Sequence, residues 1–205
     1  MLGIGYRFLV EAIGLIAGSG WASGINLYLV SLLLGVSGRL GWGDIPDVME
    51  RTDVMIVSGV LFAVEFVADK IPFLDSLWDA VHTVVRPLGA AALGAVVAGE
   101  SASIGTAVGA IVAGTLALDA HAAKASTRLV VNASPEPVSN IGISFAEDVG
   151  VAGLVVLAVT YPVVTTVVVA ILVVAATALT IWLWRMARRS WKKVGTWLES
   201  KTGAA

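Results

Sequence analysis

The sequence predicts an all-α, polytopic membrane protein with short, broken or re-entrant helices, and three observations carry that prediction. The 205 residues are 58% hydrophobic and only 14% charged, with a mean hydropathy of +0.90. A soluble domain exposes too much surface to cover with so few charges. Apolar segments recur along the chain, several shorter than the ~20 residues a spanning helix needs. The last one ends in tryptophans and a basic cluster, the pattern of a helix leaving a bilayer. The length fits one domain, read as a single integral membrane unit over 1–205.

Met1–Gly20 reads as the first membrane element and not as a cleaved leader, because Glu11 interrupts its apolar core and another apolar segment follows at once. Phe8–Gly18 and Ile25–Val36 are both short, with "SGWASG" between them. Val54–Ile71 is nearly full length but carries Glu65. Pro72–Arg86 is amphipathic and is expected to lie in the interface with its polar stripe, Asp75, Asp79, His82 and Arg86, solvated. Leu88–Gly99 and Thr106–Leu118 follow, separated by "ESASIG". "DAHAAKASTR" reads as a helix end with solvated charges, although Arg128 is a candidate partner for a buried acid. The prolines of "NASPEPVSN" place it outside the hydrocarbon.

Val149–Trp184 is too long for one crossing, since roughly 36 helical residues extend ~54 Å against a ~30 Å core. Pro162 is expected to break it into a half-element, Val149–Tyr161, and a true span, Val163–Trp184. Arg185, Arg188, Arg189, Lys192 and Lys193 beside Trp182, Trp184 and Trp191 predict a cytoplasmic basic tail over 185–205. No Lys or Arg occurs between Leu129 and Leu183, which places the loop around Pro135 and Pro137 on the opposite side.

An internal two-fold repeat, with halves 8–86 and 88–184, is suggested by "AGSGWASG" and "AGESASIG". The pairs Ala17/Ala98, Gly18/Gly99 and Gly24/Gly105 share one offset, and each stretch is followed some forty residues later by a membrane-region glutamate, Glu65 and Glu147. Paired interrupted segments characterise internally repeated transporters. Backbone breaks at Gly18, Gly20, Gly24, Gly99 and Gly105 would survive only inside protein or against a wet cavity, where freed helix ends hold ions. The alternative is that these small residues only let helices pack closely.

Ser58, Glu65 and Asp69 stand at i, i+7 and i+11, on one helical face. An ionisable group at that depth is expensive and faces inward, either as internal glue to a buried Arg or Lys or as a proton or cation site. Asn26 just past the first break, Glu100 inside the second, and Glu147 complete the candidate ligand set. Glu147 and Asp148 also suit helix N-capping.

Other chemistry finds little support. The chain has no cysteine, so disulfides and thiolate sites are excluded, and His82 and His121 have no metal-ligand spacing. There is no Walker A loop, G-x-S-x-G elbow or H-E-x-x-H, so neither an enzyme nor a cofactor is indicated. A net charge of −2 without a basic patch points away from nucleic acid. Membrane lipids and copies of the chain itself are the expected partners.

The segments "AGSGWASGINLYLVSLLLGVSGRLGW", "EFVADKIPFLDSLWDAVHTVVRP" and "HAAKASTRLVVNASPEPVSNIGISFAED" together resemble a bacterial family known as domain of unknown function 4126. The resemblance implies a small integral membrane protein and brings no activity with it. The residues themselves favour a transporter or channel-like protein of the bacterial inner membrane, with Glu65 as its proton or cation site. A lipid-handling or structural membrane protein is the alternative.

Overall fold

A computed structural model describes the backbone of residues 2–71, 73–99, 104–132 and 137–202; side chains are described within 10–71, 73–99, 104–132 and 138–189. Among the described residues the chain is almost entirely helical, with no strand. The helices are α1 (Leu2–Arg39), α2 (Thr52–Ala68), α3 (Leu74–Val97), α4 (Ile104–Val131), α5 (Pro137–Thr160) and α6 (Pro162–Thr202), with a 3-10 turn at Asp47–Glu50. Five of the helices are long and apolar enough to cross a membrane.

One residue interrupts α1. Asn26 leaves helical geometry (φ −148°, ψ 94°), and the chain doubles back there. Glu11 and Leu15 line one cavity together with Gly43, Asp44, Ile45 and Asp47. A straight helix would hold those groups ~45 Å apart at 1.5 Å per residue. The N-terminal arm of α1 therefore runs inward to Asn26, and the C-terminal arm returns to the end from which it started.

That N-terminal arm is the axis of the bundle. A Cβ on Gly20 would come within 2.7 Å of the Ala113 Cα in α4, and one on Gly18 within 2.6 Å of the Ala158 Cβ in α5 and 2.7 Å of Thr165 in α6. Gly24 abuts the Ala117 carbonyl, and Gly14 abuts Pro162. These contacts order the helices by direction. The arm is parallel to α4 and antiparallel to α5, while α6 turns back after Tyr161 to run beside α4, where Thr177 donates to Asp119 at 2.7 Å. Gly94 and Gly109 bring the α3 and α4 backbones together in an antiparallel pair.

Several expectations are corrected here. Gly18, Gly20 and Gly24 are helical, and the break falls at Asn26; the glycines serve close packing. Gly99 ends α3 with φ +120°, in open space, and Gly105 is an exposed residue in the first turn of α4. Gly99 thus departs from the helical backbone of Gly18, Gly20 and Gly24. α3 runs on through Pro87, and its polar stripe is buried, not solvated. The charged face of α4, His121, Lys124 and Arg128, is buried as well.

Pro162 does break the last stretch, but α5 is a full span and not a half-element. Its first turns carry Asn140 and Ser144, polar residues that conceal a helix in the sequence because they face inward, each 1% exposed. α6 turns back against α5 at Pro162, so the start of α5 and the distal end of α6 lie at the same end of the bundle. The outward faces are apolar: Leu77, Val81, Val84 and Leu88 of α3 and Val163, Val167, Ile171 and Val174 of α6 are exposed.

Candidate functional site

Helical spacing gathers the ionisable residues into one layer. Asp75, Asp79, His82 and Arg86 recur at i, i+4, i+7 and i+11 on α3, and His121, Lys124 and Arg128 at i, i+3 and i+7 on α4, so each set forms a single face. In lipid the polar face must turn inward, the reverse of a soluble amphipathic helix. The end of α2 adds Glu65 and Asp69, α5 adds Asn140, Glu147 and Asp148, and the bend of α1 adds Asn26.

Arginine forks organise two clusters. The Arg86 guanidinium donates to Glu65 Oε1 at 2.6 Å and to Asp79 Oδ1 at 2.8 Å. The Arg128 guanidinium donates to Glu147 Oε2 at 2.6 Å, to the Asp69 carbonyl at 3.1 Å and to the Asn140 side chain. Between them Lys124, wholly buried, donates to Asp69 Oδ2 at 2.6 Å and lies 3.6 Å from Glu147, 3.8 Å from Glu65 and 4.0 Å from Asp79. Asn132 secures Asp75 at 2.8 Å. Lys70 sits 3.0 Å over the Phe66 ring and 4.0 Å from Asp148.

The histidines have assigned roles. His121 Nδ1 is 2.7 Å from Arg86 Nη1, an obligate donor, so that nitrogen accepts and Nε2–H donates to Thr83 Oγ1 at 3.0 Å. His82 Nδ1 faces the Trp78 carbonyl at 2.8 Å and must donate; its Nε2 then accepts from the Tyr28 hydroxyl at 3.0 Å. Both rings fit the neutral form.

Counted together, six carboxylates (Glu65, Asp69, Asp75, Asp79, Glu147, Asp148) meet four cations (Lys70, Arg86, Lys124, Arg128). If all are ionised the layer carries −2. Glu65 Oε2, Asp69 Oδ1, Asp79 Oδ2 and Asp148 Oδ2 are buried without a hydrogen-bond partner. Unsatisfied acceptors of this kind are costly in a low dielectric, and Arg86 Nε and Arg128 Nε are buried without a partner as well. No group of three or more His, Cys, Asp or Glu among the described residues is arranged to hold a metal ion, because each carboxylate is turned toward a base.

Of the residues singled out in the sequence, Glu65, Asp69, Glu147 and Asn26 come together in this layer. Ser58 is buried on α2 but lies seven residues before Glu65, ~10 Å along the axis. Glu100 lies outside the described residues. Asp75, Asp79, Arg86, His121 and Lys124 were read as solvated and are central. The signal for them was present: opposite the α3 stripe stand only Leu, Val and Trp, leaving no reason for that face to meet water.

This is an integral membrane bundle built around an internal ionisable layer. Within that class, the chain belongs to the family described as domain of unknown function (DUF4126), which matches residues 13–185 and so includes every residue of the layer. No curated protein and no solved structure matches the chain.

Proposed function

We propose that the protein is a small transporter or channel-like protein that moves an ion or small polar solute through the bundle, with Glu65 as a central carboxylate of its site. The observation that carries this reading is the ionisable layer itself. Ten charged side chains in a chain so poor in charge, each costing ~2.5–3.5 kcal/mol to place at membrane depth on insertion scales, are hard to account for as glue alone. Apolar packing would hold the helices at lower cost.

On this reading α1 is a re-entrant hairpin whose tip, Asn26, meets the layer. Broken helices that present freed backbone to a binding site are a recurrent transporter device. The basic flank of α6 assigns the layer's end of the bundle to the cytoplasm of a bacterial inner membrane. The arms of α1 then open to the other side, where Asp44, Asp47 and Glu11 surround a cavity of about 460 Å³.

The test is flux into proteoliposomes, followed with dyes for pH and for alkali cations. Wild-type protein is expected to conduct, and Glu65→Gln to abolish conduction. Unaltered flux in the variant would remove Glu65 from the path.

A second reading has one observation in its favour. Trp21, Ile25, Gly150, Gly153, Leu157 and Leu172 line an apolar groove of about 490 Å³ between α1, α5 and α6, with Glu147 also in its wall. Such a groove suits an acyl chain, and lipid handling predicts co-purified lipid that Gly153→Phe displaces.

A further inference from the structure

The bend of α1 is tied to the charge layer by a specific chain of hydrogen bonds. In an unbroken helix Leu29 N–H would donate to the Ile25 carbonyl. Here it donates to Asn26 Oδ1 at 2.9 Å, so Asn26 caps the C-terminal arm and the Ile25 carbonyl is freed. Lys124 Nζ takes up that carbonyl at 3.1 Å. A cation thus caps the negative end of the N-terminal arm's dipole. The Asn26 amide reaches the other way, donating to Asp148 Oδ1 at 3.1 Å.

Lys124 has one short carboxylate contact, Asp69 at 2.6 Å. Asp69 differs from its neighbours in what holds it. Glu65 and Asp79 are both gripped by Arg86, and Glu147 by Arg128, and an arginine stays protonated in any protein setting. Protonating any of those three would take a counter-charge from a buried guanidinium. The side-chain bond of Asp69 comes from a lysine instead; the Arg128 guanidinium binds the Asp69 carbonyl and comes no closer than 4.0 Å to the carboxylate. Its other oxygen, Oδ1, is buried without a partner on a side chain 3% exposed.

We propose that Asp69 is the proton-binding residue of the layer and that Lys124 transmits its occupancy to the bend of α1, so that the coupling ion is a proton. This rests on the transport reading and deepens it. A proton arriving at Oδ1 forms an O–H bond and takes the carboxylate from −1 to neutral; no other bond breaks. The Lys124 ammonium then loses its nearest counter-charge and is drawn to Glu147 and Glu65, at 3.6 and 3.8 Å. That displacement loosens its hold on the Ile25 carbonyl and frees the hinge. The other charged or titratable groups around the pair are Asp75, Asp79 and Arg86 from α3, His121 and Arg128 from α4, Asp148 from α5, and Lys70 beside Asp69. The proposed step moves no proton on these groups, and His121 keeps its hydrogen bonds to Arg86 and Thr83.

Two readouts on the full chain in nanodiscs test this. An acid-minus-alkaline infrared difference spectrum should show a protonated-carboxyl band that is lost in Asp69→Asn, shifted in Asp69→Glu and retained in Glu65→Gln. Amide protection over Ser23–Leu29, corrected for the pH dependence of intrinsic exchange, should fall on acidification in wild-type protein and stay low at every pH in Lys124→Met. A band that survives Asp69→Asn unchanged, or hinge exchange indifferent to pH in the wild type, overturns the proposal. Should Asp69→Asn not fold, the Asp69→Glu shift decides alone, and an unshifted band refutes the assignment. Proton flux separates the two levels: band and exchange as stated but no flux would defeat the transport reading alone, whereas flux with an unaffected band would defeat the assignment alone.

Discussion

Between Gly14 and Gly24 the first arm of α1 meets α4, α5 and α6 through bare backbone, glycine against alanine or proline. A few residues on, at Ile25 and Asn26, the same arm meets α4 and α5 through Lys124 and Asp148. The first region relies chiefly on van der Waals contact, beside one hydrogen bond from Trp21 Nε1 to Asp119 Oδ2 at 3.3 Å, because lipid gives helices no hydrophobic reason to associate and close approach must supply the attraction. The second region carries buried charge, and its geometry is set by hydrogen bonds whose loss is expensive. One helix therefore passes from a rigid, close-packed collar into a layer with charge-dependent alternatives. The collar holds the arm fixed, which lets a change in the layer act on the hinge and not be dispersed along the bundle.

The comparison is tested most severely at Arg86. It satisfies Glu65, Asp79 and the His121 acceptor at once, with no exposure. Arg86→Met leaves two buried carboxylates with only Lys124 beside them, at 3.8 and 4.0 Å, and the expected loss is ~3–5 kcal/mol in a denaturing-detergent titration. Arg86→Lys should recover only part of that, because an ammonium cannot reproduce the planar fork. A loss below that of the glycine variants would mean that the layer does not dominate stability.

At the collar the sharpest site is Gly24, where an added Cβ would press on the Ala117 carbonyl and the Ala120 methyl. Gly24→Ala should cost ~1–3 kcal/mol through overpacking, in spite of alanine's higher helix propensity. The same titration measures it, and the loss should not change with pH. A pH-dependent loss would show that collar and layer are one unit.

The two regions were also unequally legible in the sequence. Helical class and membrane placement followed from composition, and the inward facing of Glu65 from the cost of exposing it. The glycines were visible as a cluster, but a packing glycine and a hinge glycine look alike until a neighbour is known: Gly18 lies against Ala158 from the far side of the chain, and the hinge itself is Asn26. The charges of α3 and α4 were misassigned for a different reason. A stripe at Asp75, Asp79, His82 and Arg86 has the same period whether it faces water or protein. Its direction is decided by the Lys124 and His121 it meets, some 40 residues away in sequence. Polar residues at the start of α5 concealed a full-length helix in the same way.

A smaller effect is expected at the junction of the two regions. Asn26→Ala removes the cap on the returning arm and strands Asp148 Oδ1, and the cap alone is worth ~1 kcal/mol. Hydrogen exchange should rise at Leu27–Leu29 first, with the Gly14–Gly24 stretch protected as before. Equal loss along both stretches would mean that the collar does not hold the arm independently.

The smallest effect should have the opposite sign. Gly150 and Gly153 lie on α5 with nothing within 4 Å of an added Cβ, in the wall of the open groove between α1, α5 and α6. A glycine within a helix costs ~0.5–1 kcal/mol relative to alanine, so Gly150→Ala should stabilise by that amount. The glycine-to-alanine change thus separates packed from unpacked positions along a single bundle, with Gly24 losing and Gly150 gaining. A destabilised Gly150→Ala whose deficit grows on dilution in detergent would instead place a second copy of the chain against this face, since only a partner brought by association could then meet the new methyl group.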